Sequence, residues 1–591
     1  MNQLSDGTAS WIGGMDTSRS PVDISDLQYS RACNVFIPRS LGGVRHRDGI
    51  HYQFITYRSS KDKLLYEKGH ISAEGWFTDK GKYYLLVVVD GYVFKLTPVN
   101  KSTFAAEVLN ANSPNQVTDK HWVCRVPNGA IVNNGVNLPL YVTANSIRRT
   151  DPSNNEIGPG KMGVYVQNRF FYSNDKGNII YASDYGNPVG IKEHGLTGIY
   201  GFSPPENQDT ITAVGKQKVM LEYAEGGALM FSTRNNIYSV DVRGDRNTWA
   251  SQGSRVGKVT QTVEGLNASS SYSFEAFGTN VYFRNSQFGI ADLKQSQYQF
   301  AQMDGIVSES IEASYWLEHD TEWMLDKCYT RSWNSRLFTT VAPQQDDEQR
   351  VYWGGLISFH PAAIYANQEA APRRYESLIT GVRPWCVSSV KSPNEGDQLF
   401  IHSFDIDGIN RLYRMVRNSS FDINSEGKRV EIEGWIETKG YDFKERFSLK
   451  KEGTKFYSLR PFNRDITIKM AARKEDTGRW IDYFTTTHKV GDSYTREANG
   501  SITPVTSRPQ TRSQVNLPGV NFNRCKERDS FLWIQDRIEF TGPLHLDSFI
   551  RAGSAHTLET SVYQEEKTSI SVSYEIKDDF SYYILNGQPI K

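Results

Sequence analysis

The sequence predicts an all-β protein: a β-propeller of about six or seven blades, with an N-terminal extended arm and a second β-rich platform domain. Three observations predict it. Aromatic and β-branched runs recur in pairs across polar, Gly-containing turns, the pattern of hairpins. The pairs repeat at a roughly regular interval. Helical periodicity is almost absent, with only 23–32 and 311–325 reading as short helices.

Taken in order, 83–89 reads as a strand and 92–96 as its partner. Asp90-Gly91 between them supplies the positive φ of a tight hairpin. Comparable units follow at 169–181, 228–240, 281–293, 336–353 and 399–415, with a weaker one at 138–142. Taking first strands near 85, 138, 169, 228, 281, 336 and 399, the intervals are 53, 31, 59, 53, 55 and 63 residues. Most approach the length of a four-stranded propeller blade. A run of β-sandwiches has a similar strand density, but here the interval exceeds one hairpin and contains extra strands. The N-terminal arm and strands are therefore assigned to 1–60, the propeller to 61–430 and the platform to 431–591. In the platform, 465–470 and 531–540 alternate like strands. Residues 484–520, rich in Thr, Ser, Gly and Pro, read as a long loop or extended arm.

Composition narrows the function. The 591 residues carry 67 Lys+Arg against 67 Asp+Glu, a formal charge of zero. Such a chain does not bind nucleic acid or an acidic membrane through an overall positive field. The mean hydropathy of −0.54 fits a soluble protein. The first residues are polar and show no signal-peptide pattern. The longest apolar stretch, 83–89, is too short to cross a bilayer. Cys33, Cys124, Cys328, Cys386 and Cys525 lack metal-ligand or redox spacing and read as reduced, buried thiols made in a cytoplasm.

No phosphate loop, dinucleotide fingerprint, zinc-protease helix or nucleophile elbow is present. No catalytic, cofactor or metal residues are assigned. Glu318-His319-Asp320 with Glu322, and Asp346-Asp347-Glu348, read as solvated charge runs. They do not place two carboxylates across a cleft, as a glycosidase requires. The segment 405–410 faintly resembles a calcium loop, but Val416 and Arg417 end the twelve-residue frame, so a β-turn is expected. Residues 439–480 hold 12 Lys/Arg and 6 Asp/Glu. Lys444, Arg446, Lys450, Lys451 and Lys455 form a possible basic contact patch there, for nucleic acid or for an acidic neighbouring subunit; a charged strand face is the plainer reading.

The most specific text lies near the N-terminus. It contains Gly13-Gly14, Pro21, the run Ala32-Cys33-Asn34-Val35, and Gly43-Val44-Arg45-His46-Arg47-Asp48-Gly49. This resembles the start of the tail nozzle proteins, or tail tubular protein B family, of short-tailed bacteriophages. That opening looks like Gly-Gly then Pro, a short helix ending in Ala-x-Asn-Val, and a Gly-x-x-x-Arg-x-Gly-like strand. Gln167-Asn168-Arg169, followed by Tyr181-Ala182-Ser183, is similar to the family's blade pattern. The stretch 436–443 looks like the strand that opens its next domain.

The resemblance implies a virion protein assembled in the host cytoplasm. Copies would form a ring, usually of six, meeting the portal or adaptor and neighbouring tail rings. Fibres or other distal tail proteins would dock outside, and genomic DNA would pass transiently through the lumen. The expected mechanism is passive conduction with weak DNA affinity, gated by 484–520 or by blade tips. The alternative is a propeller that binds or acts on carbohydrate.

Overall fold

A computed structural model describes residues 3–8, 10–38, 43–118, 120–192, 201–205, 209–216, 227–243, 246–249, 258–277, 280–285, 289–294, 302–306, 322–360, 374–392, 394–444, 449–460, 464–475, 479–489, 494–496, 502–504, 531–556, 573–577, 580–585 and 588–589. Seven four-stranded antiparallel sheets succeed one another along the chain. Blade one runs from Ile71–Asp79 through Lys82–Val89 and Tyr92–Asn100 to Thr103–Val108. Blade two begins at Trp122–Val126, blade three at Gly160–Val166, blade four at Ala213–Lys216 and blade five at Glu275–Phe277. Blade six holds Thr330–Trp333, Arg336–Gln345, Val351–His360 and Arg374–Ile379. Blade seven takes three strands, Pro384–Ser392, Gly396–Phe404 and Asn410–Val416, and borrows its fourth, Gly49–Tyr57, from the N-terminal segment.

The blades close into a ring. Their first strands lie side by side in order, except that blade four meets the turn Ser271–Ser273 before blade five, and that of blade seven packs against that of blade one. Blades four and five meet through Val214 N–H, which donates to Ser271 Oγ at 2.8 Å. Apolar clusters lie between successive blades. Phe77, Leu86 and Val88 of blade one meet Ala130, Val132 and Val142 of blade two. Phe171 and Ile180 of blade three meet Phe231 and Val240 of blade four. Each sheet is thus covered on both faces, which is why its strands read as nearly continuous apolar runs. Blade one's hairpin turns at Asp90 and Gly91, with φ of 48° and 79°, as the Asp-Gly pair requires.

The strand Gly49–Tyr57 spans the seam of the ring. Its first half pairs antiparallel with blade seven, Gly49 to Gln53 against Val416 to Leu412. Its second half, Phe54 to Tyr57, pairs in parallel with Thr103 to Ala106 of blade one. Closing a ring with one borrowed strand makes closure depend on both chain regions at once.

The platform is a two-sheet sandwich built around Tyr441, Tyr457, Ile468, Met470, Ile538 and Phe549. One sheet continues blade six: Arg31–Cys33 lies beside Arg374–Ile379, followed by Glu433–Tyr441, Ile534–Thr541, Ile466–Lys474 and Ile481–His488. The other carries Gln3–Thr8, Leu449–Leu459, His545–His556, Val44–His46 and Val35–Phe36. The described strands of residues 1–60 are shared between the two units, joining both platform sheets and the propeller.

Two expectations change. Residues 23–32 form turns and strands, not a helix, and Arg31–Cys33 pairs with Glu437 to Trp435. Backbone pairing at the edge of a large sheet outweighs weak helix propensity there. The described helix of this region is Ser60–Lys68, capped by Ser59 Oγ, which accepts from Asp62 N–H. The expected loop 484–520 begins inside the strand Ile481–His488, where Phe484 packs against the platform core. It also carries the small hairpin Tyr494–Arg496 with Ile502–Pro504, and most of its remainder lies outside the described residues. Of 311–325, only the short helix Glu322–Leu325 is described.

Candidate functional site at the propeller–platform junction

The N-terminal text folds into one connected node where propeller and platform meet. Gly13 N–H donates to Leu27 O at 2.8 Å, and a Cβ there would come within 2.6 Å of Gln28. Gly14, at φ 75°, begins the two-residue strand Gly14–Met15 beside Gln28–Tyr29. The carbonyl of Pro21 accepts from Gly440 N–H at 2.7 Å, fastening the segment to the platform strand Glu433–Tyr441. Lys439 on that strand forms ion pairs with Asp6, at 3.1 Å, and with Asp26.

Asn34 is the hub. It sits at φ 57°, a left-handed conformation that Asn tolerates better than most residues. The chain therefore bends between Arg31–Cys33 and Val35–Phe36, sending one strand to each platform sheet. Its Nδ2 donates to Thr380 Oγ1 at 2.9 Å and to Glu433 O at 2.8 Å. Its Oδ1 accepts from Arg47 Nε at 2.9 Å and from Thr380 N–H at 3.0 Å. One side chain thus ties the end of blade six, the first long platform strand and the 43–49 segment together.

Arg47 is buried and grips Asp422 with two bonds, Nη1 to Oδ1 at 2.8 Å and Nη2 to Oδ2 at 2.7 Å. Arg45 pairs with Asp48 at 2.9 Å and lies over the Phe36 ring. Gly43 passes close to Leu546 O, and Gly49 packs so tightly that a Cβ would stand 2.0 Å from Phe421 O. Beside them Arg336 Nε donates to Glu376 Oε2 at 2.7 Å, both groups buried. Glu376 Oε1 accepts from Ile37 N–H, and Arg336 Nη2 donates to Ile37 O. Burial opposes ionisation of Glu376, but Arg336 and His360 outweigh it and hold its pKa below the usual carboxylate range.

The second motif makes a local lock in blade three. Gln167 and Asn168, at φ 49° and 58°, form the turn before Arg169. Arg169 Nη1 donates to Ser183 O at 3.1 Å, and Ser183 Oγ accepts from Phe170 N–H at 2.8 Å. The Arg169 guanidinium also lies over the rings of Tyr185 and Trp249.

Of the suggested basic patch, the two described side chains lie apart in exposure. Lys444 is exposed in a turn, whereas Lys455 is fully buried with its ammonium 3.7 Å from the centre of the Tyr483 ring. The backbones of Lys450 and Lys451 pair with Ala555 and Ser554, and Arg446 lies outside the described residues. The acidic runs are structural where they are described. Asp346 accepts from the backbone of Glu348 and Arg350 and pairs with Arg350 Nε at 2.5 Å. Asp405 and Asp407 both bind Arg411 in a hairpin that turns at Gly408. Of the first run only Glu322 is described. Cys33, Cys328 and Cys386 are buried free thiols, Cys124 is a half-buried one, and Cys525 lies outside the described residues.

A small cavity is lined by His70, Ser72, His121, Tyr272, Tyr329 and Cys386. Lys120 and Asp326 form an ion pair in its wall. The space inside is about 20 Å³, room for roughly one water. Burial lowers His121 to about 4 although the Thr118 carbonyl favours its charge, so the ring is neutral.

Arg47 stands in the N-terminal text without a role assigned from sequence, and Arg336, Glu376 and Asp422 carry no sequence signal of their own. Their partners come from distant parts of the chain, so spacing carries no signal for them.

No family model and no curated protein matches this chain. A chain of the mitotic checkpoint complex is similar at 8% identity and a TM-score of 0.33, covering 59% of this chain and 90% of that one. YCF48 from Cyanidioschyzon merolae is similar at 10% identity and 0.32, covering 59% and 96%. The computationally designed Ika8 protein is similar at 9% identity and 0.30, covering 61% and 99%. Likenesses at that level carry no functional argument; the propeller is read from the chain's own seven sheets.

Proposed function

We propose that this chain is a structural component of a short-tailed bacteriophage tail. In this reading, copies assemble into a ring, six being the expected number. The ring continues the DNA channel beneath the portal or adaptor and offers a docking platform to other tail proteins.

The observation that carries the reading is the junction. Gly13, Gly14, Pro21, Asn34, Gly43, Arg45 and Gly49, the residues on which the family resemblance rests, converge on one node. A conduit subunit needs its domains held as one rigid body, and in this node the buried Arg47 binds Asp422 with two bonds. In this reading the lumen lies between copies.

Protein composition of purified particles, with mass photometry of the isolated chain and a cryo-EM map of the particle, tests the proposal. The expected result is a fixed copy number per particle in a cyclic ring. Absence of the chain from purified particles overturns it, and hydrolysis or retention of a glycan would favour the carbohydrate alternative.

A further inference from the structure

The seam between blades one and seven contains a chain of three buried side chains that the fold does not need for pairing. Glu74 projects from the first strand of blade one, His402 from the second strand of blade seven, and Tyr66 from the helix Ser60–Lys68. All three are about 1% exposed or less. Glu74 Oε2 lies 3.2 Å from His402 Nε2, and Tyr66 Oη lies 3.0 Å from His402 Nδ1. No Lys or Arg hydrogen-bonds to Glu74 among the described residues. A carboxylate taken out of water without a cation partner is strongly disfavoured, so such a group keeps its proton.

We propose that Glu74, His402 and Tyr66 form a proton-dependent latch across the seam of the propeller ring, closed while Glu74 is protonated and weakened when it ionises. In the closed state the Glu74 hydroxyl donates to His402 Nε2, and His402 Nδ1–H faces the Tyr66 oxygen. One proton thus holds blade one to blade seven.

The groups around Glu74 are consistent with this. Ser388 of blade seven stands against its carboxyl and favours the charged form, as does Arg331 of blade six at longer range. Arg331 is already committed, with Nη1 donating to Tyr272 O and Thr330 O. Tyr66, Tyr272, Tyr329 and Cys386 complete the surroundings, and each is harder to ionise, through burial first and the Glu74 charge as a lesser cause. Burial outweighs the two favourable groups and pushes Glu74 up to about 8. Burial pushes His402 down to about 3, so it stays neutral.

The sign follows. Glu74 holds its proton more tightly folded than unfolded, so its contribution to stability is full below about 4.5 and lost as pH rises to about 8. His402 acts oppositely between about 6.5 and 3, where the unfolded chain takes up a proton that the folded chain refuses. Between about 4.5 and 6.5 the two slopes cancel, and above 6.5 the loss from Glu74 stands alone.

The test compares the full-length protein with Glu74→Gln. Melting temperature is read from pH 6 to pH 9, with amide hydrogen exchange at the ends of that range. The wild type should lose several degrees across it and lose protection selectively at Gly49–Tyr57 and Thr103–Val108, the strands that close the seam. Glu74→Gln keeps the shape without the ionisation and should flatten the melting profile. A protonated-carboxyl stretch should appear in the infrared difference spectrum of wild type against this variant at pH 7. Should Glu74→Gln not fold, exchange in the wild type alone decides. Protection at the seam unchanged at pH 9, or an equal pH loss in a folded Glu74→Gln, overturns the latch.

Discussion

Arg47 and Asp422, 375 positions apart in the chain, face each other through two parallel N–H···O bonds of 2.8 and 2.7 Å. Asp422 also accepts from Ile50 N–H at 2.8 Å, so the pair anchors the start of the strand that closes the ring. Asp422 sits where the chain leaves blade seven for the platform. The ion pair therefore joins the first and last parts of the propeller at the point where the second domain begins.

Removing one partner leaves a buried charge alone. Arg47→Ala should cost about 2–4 kcal/mol, somewhat below a fully buried pair because Asp422 keeps 23% of its side-chain exposure. Arg47→Lys should recover little, since an ammonium cannot bind both carboxylate oxygens and Asn34 in one plane. Denaturant midpoints of the three proteins check both statements.

Asn34 separates backbone strain from hydrogen bonding. Asn34→Gly keeps easy access to φ 57° but loses the four side-chain bonds, whereas Asn34→Ala loses both. Ala should be less stable than Gly by about 1 kcal/mol, the usual cost of the left-handed region. Equal stabilities would show that the bonds alone matter.

Gly49→Ala introduces a methyl 2.0 Å from the Phe421 carbonyl oxygen, a backbone atom that no rotamer change can move. Overpacking of this kind typically costs about 1–3 kcal/mol. The loss should appear first as faster exchange in blade seven, because Gly49 begins its fourth strand.

Acid should unfold the protein mainly through four buried histidines, which together outweigh the opposite contribution of Glu74. Burial lowers His46 and His121 to about 4 and His402 and His545 to about 3. Each is charged in the unfolded chain below about 6.5 while remaining neutral in the fold, so stability falls as pH drops. Glu376 and Asp536 act at lower pH: burial opposes their charge, but Arg336 and Arg551 hold both pKa values down, and protonating them breaks buried pairs. Urea midpoints at pH 7, 5 and 4 should decline throughout. His46→Gln should reduce the slope near pH 5.

How much was legible differs between strands and contacts. The hairpin at Asp90-Gly91 could be read directly, because its φ requirement is local. So could the repeat of blades, because each sheet is covered on both faces and its strands are apolar on both. The helix assigned to 23–32 failed, since pairing of Arg31–Cys33 with Glu433–Tyr441 is invisible at that range. The basic stretch looked like one patch because sequence distance hides direction: Lys444 reaches solvent and Lys455 is buried under Tyr483.

By itself the sequence determined the all-β class, the hairpin repeat and the neutral, mosaic charge, since alternation, turn residues and composition act over a few positions. Only the tertiary structure decided how the ring closes, with Gly49–Tyr57 bridging blades seven and one. It alone decided that residues 1–60 are woven through both domains, and which acids meet Arg47, Arg336 and Arg551. Burial and charge pairing depend on distance in space, and here the partners come from opposite ends of the chain.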